Sequence, residues 1–162
     1  MAHDPWQKTS SGARAVTPAP IRLEMARALV GDTPGIGVDD SEIRRGGPTY
    51  TVDTLVDVAT REPGTDLFLI VGADTASRID TWVRFAELTT LSTLVVVNRG
   101  PLPVSLPAGL DSSRVVTVDM DPIDVSSTSV RARVARGEDV SADTSPAVAA
   151  VIAGHHLYAG AA

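Results

Sequence analysis

The chain of 162 residues contains no cysteine, which excludes a disulfide framework, a thiolate zinc site and a cysteine nucleophile. Aromatic residues are also scarce at 4% of the sequence, so valine, alanine and leucine must fill the core. No apolar run approaches the roughly 18 residues of a membrane span, and the N-terminus lacks the apolar stretch of a signal peptide. These absences predict a cytoplasmic protein with no membrane partner.

Basic charge is limited too, because the formal net charge is −6. A general nucleic-acid binder needs a basic face to neutralise phosphates, so nucleic acid is not an expected partner, although a local basic site for one small anion remains compatible. Neither a G-x-G-x-x-G fingerprint nor a Walker P-loop occurs, and hydride transfer and P-loop phosphoryl transfer therefore lack their motifs.

Apolar periodicity predicts alternating helices and strands in one domain over residues 17–162, preceded by a loop or frayed terminus over residues 1–16. Helices are predicted from a Thr17-Pro18 cap to Gly31, from a Thr51 cap along Val52, Leu55, Val56 and Ala59, over Trp82–Leu88, over Ser127–Arg136, and from Ser145-Pro146 to Gly154. Strands are predicted at Ile36–Ile43, Leu67–Val71, Leu94–Val97 and Val115–Val118, and loops at Gly46-Gly47-Pro48, Gly72-Ala73-Asp74 and Pro101–Gly109. We expect Leu67–Val71 to be buried on both faces, as in the parallel sheet of a doubly wound α/β fold.

Hydroxyl groups cluster at the start of the helix predicted from Ser127, in the sequence SSTSVR from Ser126 to Arg131. A helix start attracts anions, yet no acid occurs between Val125 and Gly137, which suggests that the missing anion is a ligand. A plain Ser/Thr cap followed by solvated arginines is the alternative. Because Asp74 and Arg99 also follow predicted strands, we expect all three segments to meet at one sheet edge and bind a phosphate-bearing ligand.

Five further features occur in order along the chain: the PWQK of Pro5 to Lys8, the RLEM of Arg22 to Met25, the SEIRRGGPTYTVDTL of Ser41 to Leu55, the GAD of Gly72 to Asp74 with Trp82, and SSTSVR. Together these five segments resemble motifs of the bacterial nicotinate-nucleotide adenylyltransferases, within the nucleotidyltransferase superfamily. The resemblance implies a Rossmann-like nucleotidyltransferase fold. It also implies transfer of adenylyl from ATP to nicotinate mononucleotide, giving deamido-NAD and pyrophosphate in NAD biosynthesis.

Residue roles also follow from this resemblance. It implies that Tyr50, Thr51 and Trp82 hold the nicotinate ring and its carboxylate, that Gly72 and Asp74 lie beside ribose, and that Lys8, Ser126, Ser127, Thr128 and Arg131 contact the ATP phosphates. Arg131 and Ser127 are the expected catalytic residues. Arg99 is a softer assignment, because the family's Arg-Pro-Gly reads Arg99-Gly100-Pro101 here. With no metal-ligand cluster evident, Mg²⁺ is expected to arrive with the nucleotide phosphates.

One family element has no counterpart in this sequence, namely the GTFDPIHxGH signature with its first strand, helix and second strand. His3 cannot replace the signature histidines, and His155 and His156 fit a surface loop better than a metal pair. We therefore expect an N-terminally truncated member that is inactive or weakly active in isolation. The Ile36–Ile43 strand would lose its neighbour, and exposed edges would destabilise the chain or favour a homo-oligomer.

Three other functions stay open from the sequence. The first is another adenylyltransferase of the superfamily, such as one acting on pantetheine phosphate, although the GPTYTVDTL segment and Trp82 disfavour it. The second is a non-catalytic nucleotide-binding module, which would bind ATP without turnover. The third is a nicotinamide-dependent oxidoreductase, which would change the absorbance of the nicotinamide band.

Overall fold

The computed structural model describes residues 16–100 and 104–160, so the predicted phosphate-contacting Lys8 and the rest of the PWQK segment lie outside the described residues. In chain order the helices and strands are α1 (Ala19–Val30), α2 (Ser41–Arg45), α3 (Thr51–Arg61), β1 (Leu67–Gly72), α4 (Ala73–Ala76), a 3₁₀ turn (Ile79–Thr81), α5 (Phe85–Leu91), β2 (Ser92–Asn98), a 3₁₀ turn (Ser112–Arg114), β3 (Val115–Asp119), α6 (Ser127–Ala135) and α7 (Pro146–Gly154). This order confirms the predicted α/β class.

The described residues form two compact units, which we call the sheet unit (residues 50–123) and the helical unit (residues 16–49 and 124–160). In the sheet unit the strands are parallel and lie in the order β1-β2-β3. Parallel neighbours need a crossover between them, and the chain supplies α4 and α5 between β1 and β2. The single domain predicted for residues 17–162 stays a prediction.

One face of the sheet carries the core of the sheet unit. Val96 on β2 is 0% exposed and Leu88 on α5 is 1% exposed, and they belong to the same apolar cluster as Val52 and Leu55 of α3. Helices α3 and α5 pack against each other, and α5 also packs on β2. The helical spacing of Val52 and Leu55 was the correct signal for α3, because those two side chains are its buried ones.

The opposite face of the sheet is exposed, and the predicted burial of Leu67–Val71 on both faces is wrong. Phe68 is 61% exposed and Ile70 is 66% exposed. The strand register places these side chains on the same face as Val116 and Val118 of β3, which are 45% and 44% exposed. Apolar composition alone could not reveal this, since it does not say whether a helix covers each face.

The apolar side chains of this exposed face should bind an apolar fluorescent dye. Replacing Phe68 and Ile70 together by threonine should lower binding of an apolar fluorescent dye and slow self-association of the chain, because the largest exposed side chains of the face are removed. Threonine suits a strand, so we expect the free energy of unfolding in urea to change by less than about 1 kcal/mol. Val96→Thr is the control. It introduces threonine at a buried position of the sheet, so this variant should have a lower free energy of unfolding than the double variant. Unchanged dye binding in the double variant would contradict the exposure of Phe68 and Ile70 on this face.

The helical unit has its own apolar cluster, formed by Val130, Val140, Val148 and Ile152 with Met25 and Ala28 packed against it. Helices α1 and α7 pack together. The predicted Ser145 cap of α7 is confirmed, since its Oγ accepts from the backbone N–H of Val148 at 3.1 Å.

Thr17 does not cap α1, which corrects the sequence prediction. The residue at the N-cap position is Pro18, which makes no side-chain cap hydrogen bond. The hydroxyl of Thr17 lies instead 2.8 Å from that of Tyr158. A long-range partner has therefore replaced the local one expected from the Thr-Pro sequence.

The strand predicted at Ile36–Ile43 is wrong, because this segment has no strand and its end belongs to α2. The side chain of Asp39 accepts from the backbone N–H of Ser41 at 2.7 Å, a local bond that favours a turn into a helix. Asp40 then pairs with Arg44 one turn later at 2.8 Å. Alternating polarity produces a strand only when a neighbouring strand is present to pair with it, and local hydrogen bonds decide the structure here.

No helix among the described residues is long and apolar enough to cross a membrane.

Candidate active site

The carboxyl ends of the strands bring several predicted site residues to one edge of the sheet unit. Gly72 at the end of β1 is paired in register with Val97 near the end of β2, and Arg99 follows directly after β2. A Cβ added at Gly72 would meet no atom within 4 Å, so space is open beside this backbone. Asp74 is exposed in the first turn of α4, which begins where the sequence predicted a sharp turn. The structure thus places Gly72, Asp74 and Arg99 at the edge expected to bind ligands.

A cleft of about 400 Å³ lies at this edge. The amide of Asn98 donates to the carboxylate of Asp119 at 3.0 Å, joining the ends of β2 and β3. The cleft is lined by Asn98, Arg99, Gly100, Asp119, Met120, Asp121 and Pro122. Sequence reasoning found Arg99 and missed Asn98, Asp119 and Asp121. The position of each at or just after a strand end is the signal that could have identified them.

Tyr50 and Trp82, the predicted ring-binding residues, pack against the core of the sheet unit and are only partly buried. Each residue therefore packs against apolar side chains while part of its surface stays accessible. The backbone N–H of Trp82 donates to the carbonyl of Ile79 at 3.0 Å, which holds the residue at the end of a 3₁₀ turn. This arrangement suits aromatic residues that contact a flat ligand.

Two sequence predictions in this region need correction. Thr51 does not cap α3, because it is the first helical residue and Tyr50 occupies the N-cap position without a side-chain hydrogen bond. The helix predicted over Trp82–Leu88 begins later, at Phe85. Arg84 causes the delay, since its left-handed backbone with φ of 56° cannot continue a right-handed helix.

In the helical unit, the start of α6 has the features predicted from SSTSVR. Ser126 is the N-cap residue, and its Oγ accepts from the backbone N–H of Ser129 at 3.0 Å. No acid lies in the first turn. Ser127 and Thr128 are exposed, so their hydroxyls can bind solvent or a ligand. Free N–H groups, hydroxyls and a positive dipole end together form a surface that favours an anion.

The arginines of α6 and its end differ in their partners. Arg133 pairs with Glu138 at 2.9 Å and also with Asp143, and Arg136 pairs with Glu138 at 2.5 Å. These bonds from Arg136 and Arg133 hold the pKa of the Glu138 carboxyl below its usual value. Arg133 and Arg136 therefore have carboxylate partners of their own, and for these two residues the alternative of a plain cap followed by arginines without a ligand is favoured.

Arg131 behaves differently, because no carboxylate partner is found for it within residues 16–100 and 104–160. Its Nη2 donates to the hydroxyl of Thr128 at 3.3 Å, while its Nε is buried without a hydrogen-bond partner. A buried donor with no partner costs free energy that a bound anion would recover. The side chain lines a cavity of about 400 Å³ together with Ser127 and apolar residues of α1 and α7. Among Arg131, Arg133 and Arg136, Arg131 is thus the one whose guanidinium has no carboxylate partner in the described residues.

Comparisons with known proteins agree with this description. The cytidylyltransferase-like family model matches residues 1–133. The chain is 40% identical over 156 residues to the probable nicotinate-nucleotide adenylyltransferase of Streptomyces coelicolor, covering 96% of this chain and 81% of that protein. It is 38% identical over 157 residues to the protein of the same name from Frankia casuarinae, covering 97% of this chain and 81% of the relative. The chain belongs to the nicotinate-nucleotide adenylyltransferase family.

Solved structures show the same fold. The Plasmodium falciparum nicotinic acid mononucleotide adenylyltransferase complexed with NaAD has a TM-score of 0.64 at 16% identity, covering 90% of this chain and 76% of that chain. A second structure of that enzyme, complexed with APC, has a TM-score of 0.63 at 17% identity, covering 88% of this chain and 77% of that chain. At this level of identity the likeness concerns the fold, and it confirms the nucleotidyltransferase fold predicted for this adenylyltransferase family member.

Metal-binding side chains do not cluster in the described parts of this family member, where no group of three or more His, Asp or Glu residues could hold an ion. His155 and His156 are exposed, as predicted for a surface loop. His155 Nε2 lies 2.8 Å from a carboxylate oxygen of Glu24. This histidine therefore has a structural partner within the helical unit.

Proposed function

We propose that the chain binds ATP and nicotinate mononucleotide and transfers the adenylyl group between them, forming deamido-NAD and pyrophosphate. The observation that carries the proposal is Arg131, a partly buried arginine with no carboxylate partner in the described chain, at a helix start without an acid. The names of the relatives in Streptomyces and Frankia support the same reaction.

The reaction needs no covalent enzyme intermediate. An oxygen of the 5′-phosphate of nicotinate mononucleotide attacks the α-phosphorus of ATP, and the bond from that phosphorus to the bridging oxygen of the β-phosphate breaks. Negative charge then accumulates on the departing pyrophosphate. Arg131 and the N–H groups and hydroxyls of Ser126, Ser127 and Thr128 would bind these phosphate oxygens and stabilise that charge. Lys8 is proposed to contribute a further cation.

The residues of the sheet unit would bind the nucleoside parts. Tyr50 and Trp82, which are partly buried against the core of the sheet unit, would contact the nicotinate ring, and the hydroxyl and N–H of Thr51 at the start of α3 suit its carboxylate. Gly72 and Asp74 would lie beside a ribose, where the carboxylate accepts hydrogen bonds from the hydroxyls. Arg99 lines the cleft at the ends of the strands, where its guanidinium would bind a phosphate.

Mg²⁺ is proposed to enter as a complex with ATP. When bound, it would neutralise phosphate charge and polarise the phosphoryl oxygens. Carboxylates of this chain, such as Asp119 at the cleft, fit water-mediated contact with such an ion better than a complete protein cage.

The decisive experiment measures deamido-NAD and pyrophosphate after incubation of the chain with ATP, Mg²⁺ and nicotinate mononucleotide, with calorimetric titration of each substrate in parallel. Binding of both substrates is the primary readout, because it does not depend on the rate of turnover. Turnover with phosphopantetheine in place of nicotinate mononucleotide would identify the other adenylyltransferase. ATP binding without affinity for either acceptor would identify a nucleotide-binding module, and an absorbance change at the nicotinamide band would identify an oxidoreductase.

Replacing Trp82 by alanine should weaken binding of nicotinate mononucleotide about fivefold to 150-fold, because stacking of an aromatic ring on a flat ring contributes roughly 1–3 kcal/mol. Calorimetry measures this change. Trp82→Phe keeps a stacking face and should recover most of the affinity, while the affinity for ATP should stay within about twofold in both variants. Equal loss of affinity for the two ligands would point to a general disturbance of the fold and against a ring-binding role.

A further inference from the structure

The guanidinium of Arg84 links the two segments that carry the proposed ring-binding residues. Its Nη1 donates to Oδ1 of Asp53 at 2.6 Å. Asp53 lies in the first turn of α3, three residues after Tyr50 and two after Thr51. Arg84 itself comes two residues after Trp82. One ion pair therefore connects the start of α3 to the segment that contains Trp82.

Arg84 adopts a backbone conformation that its residue type disfavours. Its φ of 56° and ψ of 43° lie in the left-handed region, where the Cβ of a non-glycine residue crowds the following carbonyl oxygen. Such a conformation persists when surrounding contacts hold it, and it occurs often at functional sites. Here the contacts are the bond to Asp53 and two bonds to Glu87, from Nε at 2.8 Å and from Nη2 at 2.7 Å.

The two carboxylates restrain Arg84 in different ways. Glu87 is in α5, three residues after Arg84, so this pair is local to one helix start. Asp53 lies 31 residues away on α3, so this pair controls the distance between two separate elements. The hydrogen bonds that Arg84 donates to Glu87 and Asp53 raise the pKa of its guanidinium above the usual value, and the bonds to Glu87 lower the pKa of the Glu87 carboxyl. The Arg84 guanidinium and the Glu87 carboxylate are thus charged at neutral pH.

We propose that Arg84 is a positioning residue, which through Asp53 holds the Trp82 segment at a set distance from Tyr50 and Thr51 and so sets the shape of the site for the flat ring. This inference rests on the proposed function. Positioning of this kind matters because a small displacement of a binding group reduces affinity strongly. Arg84 need not touch the ligand.

A purely structural role makes a different prediction. The side chains of Arg84 and Asp53 are 45% and 36% exposed, and ion pairs of this exposure contribute little to global stability. If the pair is merely structural, breaking it should leave all properties unchanged or lower only the melting temperature. If the pair positions the site, breaking it should weaken binding of the flat ring and alter the surroundings of Trp82, while the melting temperature stays nearly constant.

The test compares Asp53→Asn with Glu87→Gln in the full chain carrying Trp6→Phe, which leaves Trp82 as the single tryptophan. Both variants remove one carboxylate charge from the same guanidinium. We expect Asp53→Asn to weaken binding of nicotinate mononucleotide roughly fivefold to tenfold and to shift the emission maximum of Trp82 in the ligand-free chain. Glu87→Gln should stay within about twofold, and Asp53→Glu should restore part of the affinity. ATP affinity and melting temperature should change little in all variants.

Equal effects of Asp53→Asn and Glu87→Gln on the ring affinity would overturn the inference, as would a lower melting temperature with unchanged affinity. Failure of the parent chain to bind nicotinate mononucleotide would overturn the proposed function instead. In that case the emission of ligand-free Trp82 still decides the positioning role. A shift seen only with Asp53→Asn supports it, and identical spectra refute it.

Discussion

Replacing Arg131 by alanine is expected to weaken binding of ATP about tenfold to 100-fold, because a charged hydrogen-bond donor to a phosphate contributes roughly 1.5–3 kcal/mol. Where turnover is measurable, the rate should fall about 100-fold or more, since charge on the leaving pyrophosphate loses a preorganised donor. Calorimetric titration with ATP and Mg²⁺ measures the first effect, and formation of deamido-NAD measures the second.

Arg136→Ala is the matched control for this prediction. Arg136 lies five residues further along the chain and already pairs with Glu138, so its removal should leave ATP affinity within about twofold. Arg131→Lys keeps the charge but loses the planar arrangement of donors, and an intermediate affinity is expected. Equal effects of Arg131→Ala and Arg136→Ala would mean that only general positive charge attracts the nucleotide.

Replacing Leu88 by alanine is expected to lower the free energy of unfolding by about 2–5 kcal/mol, because a buried leucine leaves a cavity that neighbouring groups fill only partly. Leu88 is 1% exposed and packs in the cluster that joins α3, α5 and β2. A loss of this size is a large part of the stability of an ordinary domain. Urea unfolding followed by circular dichroism measures it.

Leu29→Ala provides the control with the same change of side chain. Leu29 is on α1 and is 59% exposed, so its replacement should change the free energy of unfolding by less than about 0.5 kcal/mol. If the two variants unfold at the same urea concentration, Leu88 does not belong to the cooperative core of the chain.

Apolar periodicity predicted most elements of the fold correctly. The strands at Leu67, Leu94 and Val115 and the helix from Ser127 are present within one or two residues of their predicted bounds. These segments have continuous apolar runs or strong local caps, such as Ser126, so local sequence decides their conformation. The segment Ile36–Ile43 has neither a continuous apolar run nor such a cap. Hydrogen bonds of the Asp39 and Asp40 side chains stabilise a turn and a helix there instead.

Local sequence also identified the capped start of α6 and its lack of acid, because a cap and a deficit of acid are properties of consecutive residues. The partners of the arginines were not predictable in the same way. Arg133 finds Asp143 ten residues away, whereas Arg131 makes its side-chain hydrogen bond to Thr128, only three residues away. Which arginine stays available is decided by packing of α6 against the rest of the helical unit.

The sequence by itself determined the three strands of the sheet, the helix start at Ser126 and the family to which the chain belongs, because caps, apolar runs and motifs are encoded by neighbouring residues. Only the tertiary structure decided the pairs Asn98–Asp119 and Asp53–Arg84, which are 21 and 31 residues apart. It also decided which face of the sheet is exposed. These features depend on strand register and on which helices cover the sheet, and no short segment of sequence contains that information.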